Sequence, residues 1–137
     1  MPKAISSLLL AIAASVTPAM AGELRIDVAG LRSTAGSVRV AVCPRESFTK
    51  PTCPHVGSAP AGRPEVFIPD LPEGIYAVQA FHDEDGDGTL DRSGWRLSEG
   101  IAFSNDAPMR FGPPRFRDAA VRFTGSGRLT LNMRYDR

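Results

Sequence analysis

From Leu24 onward, apolar residues recur at every second position. Leu24, Ile26 and Val28 alternate with Arg25 and Asp27, and Val38, Val40 and Val42 alternate with Arg39 and Ala41. Successive side chains of a strand point to opposite faces, so the pattern predicts two strands with one buried face each. The intervening LRSTAGS is turn material. After a loop bounded by Cys43 and Cys53 come the Pro/Gly-rich stretch HVGSAPAGRP and the apolar run VFIPDL. PEGIYAVQAFHD then sets Tyr76, Val78 and Ala80 on one face and Ile75, Ala77 and Phe81 on the other, which predicts a strand buried on both sides. Near the end, AAVRFT and RLTLNMRY place Val121, Phe123, Leu129, Leu131, Met133 and Tyr135 at alternate positions around Gly125-Ser126-Gly127. These last two segments are expected to pair as a hairpin. No stretch sustains a 3.6-residue period, and 12 prolines and 13 glycines punctuate the chain, so no helix longer than two turns is expected. The predicted fold is all-β: an antiparallel β-sandwich of six to seven short strands.

The first 21 residues depart from this pattern. Lys3 and the amino terminus give a positive start, LLLAIAA runs from Leu8 to Ala14, and Ala19-Met20-Ala21 offers a small-residue cleavage pattern. That layout is the one of a secretory signal peptide over residues 1–21, with a mature chain beginning at Gly22. Seven uninterrupted apolar residues followed by Ser15, Thr17 and Pro18 are too few to cross roughly 30 Å of hydrocarbon. No later segment is long or apolar enough either. The expected protein is periplasmic or secreted, not membrane-spanning, with residues 22–137 as a single domain.

Charge narrows the partners. Without Lys3, the mature chain holds 15 basic and 15 acidic side chains, and 14 of the cations are Arg. A balanced chain lacks the electrostatic footprint of nucleic-acid binding, so no nucleic-acid partner is expected. Seven Arg lie between Arg110 and Arg137, opposed by Asp118 and Asp136. Interleaved with apolar residues at period two, they read as the solvent face and edge protection of terminal strands.

Cys43 and Cys53 are the only cysteines. An even count in a small exported chain is most economically one disulfide. The alternative, a zinc site from Cys43, Cys53, His55 and His82, fits less well. Structural zinc usually recruits cysteines two to four residues apart, and each Cys here precedes a proline that favours extended backbone.

The stretch richest in chemistry is Asp83-Glu84-Asp85-Gly86-Asp87-Gly88-Thr89-Leu90-Asp91. Acids at relative positions 1, 3, 5 and 9 with glycine at 6 reproduce the front half of an EF-hand loop. Alternate side chains of a tightly curling loop converge on one centre, and hard oxygen ligands suit Ca²⁺. The expected ligands are Asp83, Asp85, Asp87, the Thr89 carbonyl and Asp91. Position 12 is Gly94 instead of Glu, so another group must complete the sphere. The nearest downstream carboxylate is Glu99, and the flexible pair Ser93-Gly94 could turn it back towards the loop. The loop is therefore expected to hold Ca²⁺ as a structural cofactor.

FIPDLPEGIYAVQAFHDEDGDGTLD followed by EGIAFSND resembles the secreted bacterial family called domain of unknown function 2141. The resemblance rests on Leu71, Pro72, Gly74, Tyr76 and Ala77, then His82, Asp83, Asp85, Asp87, Gly88, Leu90 and Asp91, then Glu99, Gly100, Phe103, Ser104 and Asn105. It covers essentially the whole mature chain. Asp85 and Asp87 stand where the family commonly has Asn, which makes this loop more acidic. The L-P-x-G-x-Y corner is also similar to that of transthyretin-like and carboxypeptidase regulatory-like sandwiches, which supports a sandwich of transthyretin-like or immunoglobulin-like type and implies no enzyme.

The expected role is a non-enzymatic binding or structural module whose partner, an envelope protein or a small ligand, is not identified by the sequence. A candidate ligand surface comprises His82, Trp95, Ser104 and Asn105. The rival is an envelope hydrolase built on His82, Glu99 and Ser104. No G-x-S-x-G elbow occurs to support it, and a deep pocket enclosing those three side chains would distinguish it.

Overall fold

The computed structural model of the chain describes residues 4–15, 21–89, 92–93, 96–97 and 99–136. Its strands are β1 (Ala21–Ala29), β2 (Ser37–Cys43), β3 (His55–Pro60), β4 (Glu65–Pro72), β5 (Gly74–Asp83), β6 (Arg92–Ser93), β7 (Arg96–Leu97), β8 (Ile101–Phe103), β9 (Ala120–Phe123) and β10 (Ser126–Asn132). The only α-helix among the described residues is α1 (Phe116–Ala119), a single turn. Eight strands form two facing sheets, one more than the upper end of the six to seven expected. The smaller sheet has the order β10-β1-β4, and the larger β3-β2-β5-β8, with β9 also on β5. Strands β6 and β7 form a separate two-stranded ribbon.

The sandwich is not antiparallel throughout. β1 and β10 run parallel, from Glu23 opposite Ser126 to Ala29 opposite Asn132. Nor do β9 and β10 form the expected hairpin. β9 pairs with β5, Gly74 opposite Phe123, while β10 crosses to the other sheet. Alternation reports which face of a strand is buried and is silent about its neighbour. Phe123 and Leu131 are both buried, but they belong to opposite sheets of one core.

That core is the inward face of the period-two pattern. Leu24, Ile26 and Val28 from β1, with Val66 and Ile68 from β4, meet Val38, Val40 and Val42 from β2 and Val78 from β5. Removal of this apolar surface from water is the main term favouring the fold. At the β4–β5 corner, the Tyr76 hydroxyl donates to the Pro72 carbonyl at 2.7 Å, the arrangement of a tyrosine corner. Burial raises the Tyr76 hydroxyl above the ordinary tyrosine pKa. Tyr76→Phe is expected to lower stability by about 1 kcal/mol through this bond alone. An unchanged urea midpoint would remove the corner from the account.

A second apolar cluster lies on the outer face of the larger sheet. Cys43 and Cys53 are bonded, as the spacing suggested, and their loop brings Phe48 against Phe103 and Phe116. Ala77 faces this cluster, so β5 is buried on both sides there, but Ile75 is half exposed, contrary to the sequence pattern. The cover ends too early along the strand to reach it.

Candidate metal centre

Strand β5 delivers the site. Its apolar residues fix the strand between β2 and β8, and its last residue, Asp83, lies opposite Ser37 at the start of β2. Beyond Asp83 the chain curls through two left-handed glycines, Gly86 at φ 72° and Gly88 at φ 79°, a conformation that costs a residue with a Cβ. The acids themselves hold the curl. Asp85 Oδ1 accepts from the Asp87 N–H at 3.2 Å, and Asp87 Oδ1 accepts from the Thr89 N–H at 2.9 Å.

Asp83, Asp85, Asp87 and Glu99 each offer an oxygen, and these oxygens lie within 4.8 Å of one another. Asp83 and Glu99 are buried, whereas Asp85 and Asp87 are exposed. Asp83 Oδ2 accepts from Arg39 Nε and from the Gly88 N–H, both at 2.9 Å. Asp83 Oδ1 is buried with no hydrogen-bond partner among the described residues. A buried carboxylate oxygen without a donor is costly unless a cation or another partner compensates it. Glu99 Oε2 accepts from the Glu84 N–H at 2.7 Å, which fixes it against the start of the loop.

Glu84 sits in the acidic run but turns away from this centre. Arg32 Nε donates to its Oε1 at 2.7 Å and Ser33 Oγ to its Oε2 at 3.1 Å. The hydrogen bond from Arg32 holds the Glu84 carboxyl below its ordinary range, against an opposing effect of burial and with help from Ser33. A lowered folded-state pKa means that this tie stabilises the fold above the ordinary carboxylate range. The stabilisation is lost as pH falls through the lowered value.

Asp91 and Trp95 lie outside the described residues. Thr89 is in the loop, with its N–H committed to Asp87. Arg39, which the alternation of β2 places on the outward face, is the partner of Asp83. Its only signal was long-range, because β2 had to be known to pair with β5 before Arg39 and Asp83 became neighbours.

The remaining candidate residues are engaged elsewhere. A carbonyl oxygen can only accept, so the buried His82 donates to that of Ala35 through Nε2 at 2.7 Å. Nδ1 then accepts from the Tyr135 hydroxyl at 2.8 Å, which in turn accepts from the Arg32 N–H at 3.1 Å. Burial is the main reason the Tyr135 hydroxyl is raised above its ordinary pKa. Ser104 Oγ, also buried, accepts from the Val78 N–H at 2.9 Å and donates to the Ala119 carbonyl at 2.5 Å. Asn105 Nδ2 donates to the Asp118 and Ala120 carbonyls and so pins the segment before β9. His82, Ser104 and Asn105 therefore do not share one exposed surface. The cavity on the outer face of the larger sheet has none of His82, Glu99 and Ser104 in its lining. The zinc alternative fails on the disulfide, which occupies both sulfurs.

A family model described as "Uncharacterized protein conserved in bacteria (DUF2141)" matches residues 26–130. The chain belongs to DUF2141. The DUF2141 match runs from within β1 to within β10 and so includes the disulfide, the acidic loop and Glu99. No curated protein and no solved structure matches the chain.

Proposed function

We propose that this DUF2141 chain is an exported, non-enzymatic binding or structural module, and that its loop from Asp83, closed by Glu99, binds Ca²⁺ as a brace. The observation that carries the ion site is Asp83 Oδ1: a buried oxygen with no donor among the described residues, in a residue whose carboxylate converges with three others. Asp83 Oδ2 already has Arg39 and Gly88, so a cation can take Oδ1 without displacing either. Ca²⁺ accepts about six to eight oxygens at flexible geometry, so carbonyls and water would add to the carboxylates. Bound there, the ion would tie the β5 end to the segment before β8.

Export is supported by residues 4–15, which carry no regular secondary structure and expose Leu8, Leu9, Leu10 and Ile12. It is also supported by the disulfide, since such bonds persist in oxidising compartments. No helix among the described residues is long and apolar enough to cross a membrane. Amino-terminal sequencing of protein from the envelope should begin at Gly22.

Extracellular Ca²⁺ modules bind at roughly 10⁻⁴ to 10⁻³ M, so about 10 mM Ca²⁺ should stabilise the native state by roughly 1.4 to 2.7 kcal/mol. For a domain of this size that is a rise in melting temperature of about 5 to 10 °C. Asp87→Ala should remove most of the rise, and Glu99→Gln should leave an intermediate one. A parent that melts at the same temperature with and without Ca²⁺ contradicts the brace. A Glu99→Gln variant matching the parent contradicts only the closure by Glu99.

A further inference from the structure

The outer face of the larger sheet is covered at one end by the disulfide loop and the segment around α1, and elsewhere it opens into a cavity of about 800 Å³. Small-ligand sites commonly span about 300 to 1,000 Å³. The floor is the outward face of the period-two strands, including Ala41 from β2, Val56 from β3, Phe81 from β5 and Ile101 from β8. Val56, on the edge strand β3, is 67% exposed on this face. Arg39 and Lys50 are the charged residues of the lining, and no carboxylate is among its described residues.

Arg39 is more than a solvated cation. Its Nε is held by the fully buried Asp83, and the backbone of Gly88 lies against its Nη2 end, where a Cβ would come to 3.6 Å. Neither Nη group makes a hydrogen bond among the described residues. The guanidinium is thus pre-positioned with its forked end free, a shape that matches a carboxylate in two parallel hydrogen bonds. Fixing the side chain before binding reduces the ordering cost that association would otherwise carry.

We propose that this groove binds a small amphipathic carboxylate, with its head group on the Nη fork of Arg39 and its apolar body along Val56, Phe81 and Ile101. Lys50, at the disulfide-loop rim, adds positive potential along the same path. The proposal goes beyond the Ca²⁺ reading and does not depend on it.

The test is calorimetric titration of the folded, chelator-treated chain with decanoate, decyltrimethylammonium and decanol, each below its aggregation concentration. Working in chelator keeps the outcome separate from that of the Ca²⁺ experiment. Decanoate should bind at least about tenfold more tightly than the other two, because a charge-assisted bidentate pair discriminates by that much or more. Arg39→Met should weaken decanoate by about the same factor and leave decanol within about twofold. Ala41→Phe, which fills the floor and keeps the Arg39 guanidinium, should weaken decanoate and decanol together. Equal affinity for all three probes in the parent would overturn the proposal, and so would decanoate binding that survives both substitutions. The comparison of probes in the parent requires no variant to fold. Absence of binding at millimolar decanoate would overturn it equally.

Discussion

His82→Ala is expected to lower stability by about 3 to 5 kcal/mol, the range for deleting a large, fully buried side chain that also holds polar partners. The ring is wholly shielded from solvent and contacts Tyr135 edge to face at 6.1 Å. Its loss leaves a cavity, and it also leaves the Ala35 carbonyl without its donor and the Tyr135 hydroxyl without its acceptor. Because the Tyr135 ring packs under the Arg32 guanidinium at 4.6 Å, the Arg32–Glu84 pair beside the acidic loop should loosen as well. Urea unfolding with near-ultraviolet circular dichroism would read both effects. A variant within about 1 kcal/mol of the parent would mean that the histidine is not a structural keystone, and would reopen a chemical role for it.

Replacing Cys43 and Cys53 together by Ser should lower stability by about 2.5 to 3 kcal/mol, the chain-entropy expectation for releasing a loop this short. The loop is not merely tethered. Phe48 sits within it and meets Phe103 at 6.2 Å and Phe116 at 5.9 Å, so release exposes the second apolar cluster. Hydrogen exchange should therefore rise first over residues 44–53 and in β8, before the sandwich core opens. Equal midpoints with and without reductant would show that these aromatic contacts hold the loop unaided.

Which faces are buried was legible in the sequence because period two is a local property. Leu24, Ile26, Val28, Val38, Val40 and Val42 were read as inward-facing and all are buried. Strand partnership was not legible, since the same alternation suits a hairpin neighbour or a strand facing it across the core. This is why β9 and β10 were expected together and stand in different sheets. The candidate metal centre divides the same way. The spacing of Asp83, Asp85 and Asp87 marks a local loop, and Glu99 was reachable as the next carboxylate along a flexible connection. Arg39 was hidden because its role depends on a register between positions 44 residues apart. Glu84 was hidden differently, since nothing local distinguishes an acid that faces the loop centre from one claimed by Arg32 and Ser33.

The unpartnered oxygen of Asp83 bears most directly on the Ca²⁺ reading. In chelator, Asp83→Asn should cost little beyond its weakened pairing with Arg39, because the substitution also replaces a buried carboxylate, whose Oδ1 has no donor among the described residues, by a neutral amide. In Ca²⁺ it should cost the whole of the ion's contribution. Calorimetric titration of the chelator-treated parent and of Asp83→Asn with Ca²⁺ measures this without reference to melting. One site per chain in the parent, at roughly 10⁻⁴ to 10⁻³ M, and no measurable binding in Asp83→Asn is the predicted result. No binding in the parent, or the same affinity in both, would contradict it.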